Sequence, residues 1–380
     1  MNILYLITRA EQGGAQTKVL ALAKHGLAQG HQVRIGIGES GWLSDQAAAA
    51  GLPTVVFRHL KRTWSPFSIR PFLRELRAEL ERQPADILHM HSSNTLFATR
   101  LRNCLGDDRP KAIATVCGLS LMHPGWTGSR IKKFVFNAIT KRMWARCDHV
   151  IFVCEWDRQF ALSKKYATEE NSSVVYNGLP AEMPYLTRRE AKEKLNLLSA
   201  DSDFVVGTVA RLDYQKDIDL FIDLADALRA ERMRFRVVGA GPDHERLTRK
   251  IRQLGLSDRV EIIDRARDAF RLMTGFDVFV LTSRYEGFPW TLLEAAQARV
   301  PIVSMAVAGC PEIITDGETG RLVRDRAPQS LAAAVRAVRD NPEQSAATAE
   351  RARAAVRQKF SQTVLLNGTY SIYKQLLPDG

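Results

Sequence analysis

Glu286 and Glu294 stand eight positions apart in Ser283-Arg284-Tyr285-Glu286-Gly287-Phe288-Pro289-Trp290-Thr291-Leu292-Leu293-Glu294-Ala295-Ala296. The string reads as a strand end, a loop carrying Glu286, a proline where a helix begins, and Glu294 on that helix. Free N–H groups near Thr291 and Leu292, at the head of the helix, suit a phosphate. A carboxylate on each side of such an anion site grips hydroxyls, as ribose and sugar rings require. The plainer alternative is a surface loop and a solvated helical glutamate. Arg211-Leu212-Asp213-Tyr214-Gln215-Lys216 follows another apolar run. Its two cations, a planar fork and a point charge, suit a diphosphate, although charged loops are often only solvated.

Three groups of turns accompany these residues. Val237-Val238-Gly239-Ala240-Gly241-Pro242-Asp243 lets backbone approach a flat base or a sugar. Glu11-Gln12-Gly13-Gly14-Ala15-Gln16 joins a first strand to a helix and leaves helix N–H groups for an anion or a hydroxyl, or is simply a tight turn. Neither is a G-x-G-x-x-G dinucleotide fingerprint, because the third glycine is missing. Ala308-Gly309-Cys310-Pro311-Glu312 and Asp316-Gly317-Glu318-Thr319-Gly320 close the set. The P-loop, H-E-x-x-H and G-x-S-x-G patterns are absent. Cysteines 104, 117, 147, 154 and 310 are odd in number and form no C-x-x-C, which argues against a disulfide framework or a zinc site and for a reducing cytoplasm.

The elements that must position these residues alternate. Strands are predicted at 3–8, 33–38, 54–57, 87–90, 112–116, 150–153 and 173–176, with helices between them, among them 15–29, 69–83 and 130–146. Residues 177–203 hold turns, prolines and a charged helical piece at 188–197, and read as a linker, its core at 181–203. Alternation then resumes with strands at 204–210, 234–239, 260–263, 278–282, 302–304 and 320–323 and helices at 218–230, 243–254, 290–298 and 330–339. Short apolar runs between amphipathic segments imply parallel strands with crossover helices. The expected fold is α/β, with two doubly wound Rossmann-like domains facing a cleft: 1–180 and 204–360, followed by a C-terminal helix at 361–380 that can return to the first domain. Sites in such sheets lie at the carboxyl ends of strands, where the motifs fall.

The 380 residues carry 54 Lys and Arg against 42 Asp and Glu, a net charge of +12. Residues 1–180 hold 24 basic and 14 acidic residues; residues 181–380 hold 30 and 28. One half is therefore basic. The excess concentrates between 51 and 150, where Arg58, Lys61, Arg62, Arg70, Arg74, Arg77, Arg130, Lys132, Lys133, Lys141, Arg142 and Arg146 interleave with Trp64, Phe67, Phe72, Trp126, Phe134 and Phe136. Such a mix suits peripheral docking on anionic lipid, with Arg130, Lys132 and Lys133 on the acceptor and membrane side. The alternative is a solvated helix face with its aromatics in the core. No run of 18 apolar residues exists, so no spanning helix is expected. The opening apolar stretch stops at Arg9 and reads as a strand rather than a signal peptide.

Taken in order, these motifs resemble the retaining glycosyltransferases of family 4, in the GT-B superfamily. The resemblance covers nearly the whole chain. Gly13-Gly14-Ala15 is similar to the family's glycine turn, Arg211 and Lys216 to its R-x₄-K pair, and Glu286 with Glu294 to its E-x₇-E element. Ile7 through Gln16 and His89-Met90-His91-Ser92-Ser93 resemble enzymes that build bacterial surface polysaccharides. The resemblance implies transfer of a sugar, with retention, from a nucleotide-diphosphate-sugar to a glycan, lipid-linked or lipopolysaccharide acceptor. It implies catalytic roles for Arg211, Lys216 and Glu286. Donor contacts fall to Gly14, Gly239, Gly241, Gly287, Phe288, Thr291, Leu292 and Glu294. Arg211 and Lys216 would hold the diphosphate, Glu294 the ribose and Glu286 the sugar hydroxyls. No metal or other cofactor is implied, since two cations and a helix N-terminus stabilise the leaving charge. The expected partners are a nucleotide-sugar, the acceptor and an anionic membrane surface, with no nucleic acid. The expected location is cytoplasmic, at the inner face of the membrane.

Two departures stand out. The family's T-x-H-G is Thr115-Val116-Cys117-Gly118 here, and a cysteine is a weak hydrogen-bond partner. His123, six residues on, either reaches in or is a surface histidine. Asp217 stands where glycine commonly follows the lysine. Two other functions remain: a sugar-nucleotide epimerase of the same architecture, which needs no acceptor, and a nucleic-acid-binding protein using the basic half, which no motif supports.

Overall fold

The computed structural model describes residues 1–103, 109–119, 129–197, 203–264 and 268–378. Expectations for Cys104, His123 and Trp126 lie outside the described residues.

The chain forms two compact units. The first comprises Met1–Tyr176 and Leu365–Gly380, and the second Asn177–Val364. The first holds β1 (Asn2–Ile7), α1 (Gly14–Ala28), β2 (Gln32–Ile37), α2 (Trp42–Ala49), β3 (Thr54–Val56), α3 (Pro66–Arg82), β4 (Ile87–Met90), β5 (Lys111–Val116), α4 (Arg130–Trp144), β6 (His149–Phe152), α5 (Glu155–Ser163) and β7 (Ser172–Val174). Its seven strands run in the order β3-β2-β1-β4-β5-β6-β7, and every pair is parallel. Parallel strands need crossover helices on both faces, so their interiors are continuous apolar runs. Ile3 through Leu6 of β1 are fully buried accordingly.

The second unit holds α6 (Arg188–Lys194), β8 (Phe204–Val209), α7 (Ile218–Ala227), β9 (Met233–Val238), α8 (His244–Gln253), β10 (Val260–Ile263), β11 (Val278–Leu281), α9 (Trp290–Gln297), β12 (Ile302–Met305), α10 (Cys310–Ile313), β13 (Arg321–Val323), α11 (Pro328–Asp340) and α12 (Pro342–Lys359). Its six parallel strands run β10-β9-β8-β11-β12-β13. The winding direction reverses between β1 and β4 in the first sheet and between β8 and β11 in the second. Such switch points open a crevice at the carboxyl ends of the strands.

One segment differs from the sequence expectation. Residues 181–197, expected as part of a linker, are tied into the second unit. Thr187 caps α6 and Glu190 bonds back to the Thr187 N–H at 2.8 Å. Ala191, Leu195 and Leu197 are fully buried, and the buried Arg236 guanidinium donates to the Leu195 carbonyl at 2.7 Å. The prolines and charges suggested a linker; an apolar stripe among those charges packs the segment into the second unit. The C-terminal helix expected at 361–380 is α13 (Gln362–Leu376), which contributes Leu365, Tyr370 and Tyr373 to the core of the first unit. Tyr373 and Tyr370 share hydroxyl contacts with Tyr5, and Tyr373 also meets His89 Nδ1 at 2.5 Å. These hydroxyls enter an apolar interior with partners, as burial requires.

Candidate active site

β8 and β11 are neighbours, so the loops after them share the switch point of the second sheet. The loop after β8 carries Arg211 and Lys216; the loop after β11 carries Glu286 and leads into α9 with Glu294. Lys216 Nζ donates to Glu286 Oε1 at 2.6 Å, and Ser283 Oγ donates to the same oxygen at 2.6 Å. The Lys216 charge also acts on the Glu294 carboxyl. The ammonium therefore serves both predicted carboxylates, eight residues apart in sequence. Burial pushes the Glu294 carboxyl up to about 7, against the pull of Lys216. A group poised there changes protonation near neutrality.

The two loops are held by backbone. The Arg284 N–H donates to the Gln215 carbonyl at 2.8 Å, Gln215 Nε2 to the Tyr285 carbonyl at 3.0 Å, and Thr282 Oγ1 to the Lys216 carbonyl at 3.0 Å. Beneath them lies Asp217, buried, with a left-handed φ of 47°. Its carboxylate accepts from Arg284 at 2.8 Å and from Arg326. Arg326 also donates to the Thr282 carbonyl at 2.8 Å and the Ser283 carbonyl at 3.1 Å. Asp217 thus anchors both loops through two guanidinium groups.

Arg211 is 58% exposed and bonds Asp213 through Nε at 2.5 Å. The glycines of the 237–243 turn have a role in placing it. A Cβ on Gly239 would lie 1.9 Å from the Ala210 carbonyl oxygen, and one on Gly241 would lie 2.3 Å from that of Leu212. Backbone bonds from Ala210 to Val238 and from Leu212 to Ala240 close the contact. The close approach predicted for a base or sugar is thus occupied, at these Cβ positions, by the loop that carries Arg211.

The start of α9 differs from expectation in part. The Leu292 N–H is not free, because it donates to the Pro289 carbonyl at 3.2 Å, and the Leu292 side chain is fully buried. Phe288 packs edge-on against Phe360, and its carbonyl accepts from Asn177 Nδ2 at 2.8 Å. The Gly287 carbonyl accepts from the Gly309 N–H at 3.1 Å, which ties in the turn at 308–312. Thr291 Oγ1 and Asn177 Oδ1 are buried without a hydrogen-bond partner. Each buried polar atom without a partner is unusual in a folded protein.

Sequence reading missed Ser283, Asn177, Tyr185 and Arg326 as members of this neighbourhood. Tyr185 donates to the Glu294 carbonyl at 2.7 Å from the segment expected to be a linker. Ser283 was visible beside Glu286, but the other three lie far away in sequence.

In the first unit, Gly13 precedes α1 with no side-chain cap, and Gly13 and Gly14 are half-buried. Arg130, Lys132 and Lys133 lie in the first turn of α4, with Arg130 and Lys132 exposed. Between and beyond them Ile131 and Phe134 are 78% and 74% exposed, and Phe67 at the start of α3 is 88% exposed. Phe72 and Phe136 are instead core residues, with Trp64 stacked on Phe136 at 4.7 Å. The interleaved aromatics therefore divide: Phe72 and Phe136 belong to the core, and Phe67 and Phe134 are exposed.

Known proteins agree with this architecture. Residues 12–182 match the model of glycosyltransferase family 4, and residues 189–355 match that of the glycosyl transferases of group 1. The chain is 26% identical over 339 residues to the lipopolysaccharide core biosynthesis mannosyltransferase LpsB of Rhizobium meliloti, covering 86% of each chain. It is 31% identical over 172 residues to a Vi polysaccharide biosynthesis protein of Salmonella typhi, a match covering 43% of this chain and 29% of the relative's length. Among solved structures, Anabaena Alr3699/HepE in complex with UDP-glucose matches with a TM-score of 0.84 at 20% identity, covering 99% of this chain and 100% of the other. The fold is that of the GT-B glycosyltransferases. The chain belongs to the group 1 glycosyltransferases, with a family 4 unit at its N-terminal side.

Proposed function

We propose that the protein transfers a sugar, with retention, from a nucleotide-diphosphate-sugar to a glycan acceptor in the synthesis of a bacterial surface polysaccharide or lipopolysaccharide. The observation that carries this reading is the Lys216 ammonium bonded to Glu286 and acting on Glu294 at the switch point of the second sheet. An ammonium has three donors. One is used on Glu286, which leaves two for phosphate oxygens. Arg211 adds a fork from the same loop. Charge grows on the phosphate oxygen as its bond to the anomeric carbon breaks, and fixed cations stabilise that charge. Glu294 accepts from ribose hydroxyls, and Glu286 from the sugar. These residues supply the charge stabilisation themselves, so the reaction proceeds without a metal. The names of the Rhizobium and Salmonella relatives support a polysaccharide or lipopolysaccharide acceptor.

Membrane docking belongs to the same proposal. Exposed Ile131, Phe134 and Phe67 beside Arg130 and Lys132 combine apolar anchors with cations that suit anionic lipid. No helix among the described residues is long and apolar enough to cross a membrane, so attachment at this surface is peripheral.

The test is turnover of a panel of nucleotide-sugars with and without polysaccharide-derived acceptors, in the presence of a chelator. Acceptor-dependent transfer with the anomeric configuration kept supports the reading. Release of an isomerised sugar without acceptor replaces it with an epimerase, and strict dependence on added divalent metal overturns the charge-stabilising role given to the two cations.

A further inference from the structure

α1 begins just after β1, so its first turns lie over the carboxyl edge of the first sheet. Lys18 is in its second turn and is only 2% exposed. A buried ammonium costs several kcal/mol unless it is paired. Among the described residues Lys18 has no carboxylate partner. The groups that share its field are Cys117, His89 and His91, none of them an acid at neutral pH; the buried Asp157 carboxylate acts on Cys117 but is not among the charges acting on Lys18. Burial pushes Lys18 down to about 8, so at pH 7 it is still mostly a cation.

Its neighbours come from adjacent strands. β1, β4 and β5 lie side by side. His91 follows β4, and Cys117 follows β5. His91 is 3% exposed, and both of its ring nitrogens are buried without a hydrogen-bond partner. Its ring lies 4.1 Å from that of His89, whose two nitrogens are already used on Tyr373 and Thr115. Burial and the nearby Lys18 charge keep His91 neutral. A neutral imidazole offers one donor and one acceptor. Thr8 and Ser92 meet at 2.6 Å beside it and complete a polar edge.

An unpaired buried cation next to an unpaired buried imidazole is a receptor lacking its anion. In the proposed reaction the donor's diphosphate already has Arg211 and Lys216 in the second unit. We infer that Lys18 and His91 bind an acidic group of the acceptor, a carboxylate or a phosphate, so that the acceptor sugar is anionic. This rests on the transfer reading above for the word acceptor, but not for the site. Lys18 would form a charge-assisted bond to one oxygen, and His91 would donate to the same group. Cys117, a weak hydrogen-bond partner, leaves this recognition to the lysine.

The full chain, as parent and as Lys18→Met, is titrated calorimetrically with glucuronate, inorganic phosphate and UDP. The parent should bind glucuronate or phosphate, and Lys18→Met should weaken that binding by about 30-fold or more, the usual loss when one member of a buried charged pair is removed. UDP affinity should not change. Preference for glucuronate identifies a uronate acceptor, and preference for phosphate a phosphorylated one. Lys18→Arg should restore part of the affinity. The melting temperature of Lys18→Met should equal or exceed that of the parent, because an unpaired buried charge is gone. Lys18→Gln repeats the test should the methionine variant fold poorly. Equal anion binding by parent and variants, or a loss confined to UDP, overturns the inference. Failure of UDP and every nucleotide-sugar to bind the parent, with anion binding at Lys18 intact, would sink the transfer reading and leave this site standing.

Discussion

Arg211 and Lys216 meet an anion in different ways. Arg211 is exposed and held by Asp213, while Lys216 is mostly enclosed and bonded to Glu286. In the proposed reaction each is aimed at charge that grows as the diphosphate leaves. Arg211→Ala and Lys216→Ala should therefore each lower turnover by about 10²–10³, with unfolding midpoints little changed. Near-parental turnover in a folded variant would remove that residue from the site. Glu294 gives a pH signature. Its pKa is raised to about 7 in the folded chain from an ordinary 4.5. Between those values the folded state binds more protons than the unfolded state, so stability falls as pH rises through that window. Glu294→Gln removes this loss. Its melting temperature relative to the parent should rise from pH 5 to pH 8, and a pH-independent difference would mean the carboxyl is not desolvated. Asp217 weighs two opposed effects. Glycine would relieve a left-handed backbone, a matter of about 1 kcal/mol. It would also strand Arg284 and Arg326, which are about one-third exposed. We expect Asp217→Gly to lower stability by about 1–2 kcal/mol in urea unfolding; a more stable variant would mean that the strain outweighs the pairing. The motif residues themselves were legible because each lies in a short string with a local mechanism. Their supports were not. Asn177 and Phe288 are 111 positions apart, and Arg326 reaches Asp217 across 109, separations no spacing rule covers.

At the scale of elements, strands were the clearest signal. Buried parallel strands are short apolar runs, and 87–90 and 260–263 agree with β4 and β10 to the residue. Helix ends moved by a few residues because terminal turns carry little pattern of their own. The segment around α6 was misread because its apolar face is only Ala191, Leu195 and Leu197 set among charges. α4 is the element whose surface asks for a partner. Its exposed Ile131 and Phe134 were indistinguishable in sequence from the buried Phe136. The Arg130, Lys132, Lys133→Glu triple variant should lose binding to anionic vesicles while nucleotide affinity in the second unit holds. Each basic residue near an anionic surface contributes about 1 kcal/mol, screened by salt. Cosedimentation with anionic and zwitterionic vesicles, at low and high salt, measures this. Equal binding to both lipids, or no effect of the reversal, would make α4 a solvated face.

At the scale of the molecule, division into two α/β units was readable from the pause in alternation, whereas the strand orders were not, because crossover rules only narrow the choices. The partition of charge was readable too: the basic unit carries the exposed cations of α4 and the buried Lys18, and the nearly neutral unit carries the compensated Lys216, Glu286 and Glu294. Which partner each buried cation has was not readable, since burial and pairing exist only in three dimensions. The central claim is that the second unit grips a nucleotide-diphosphate-sugar with Glu294 on the nucleotide and Glu286 on the sugar. Calorimetric titration of the parent, Glu286→Ala and Glu294→Ala with a panel of nucleotide-sugars and the matching free nucleotides tests it most directly. Glu294→Ala should weaken a donor and its bare nucleotide by similar factors, about tenfold. Glu286→Ala should weaken the donor and spare the nucleotide. Parental affinities in both variants, or a parent that binds no nucleotide-sugar, would contradict the account.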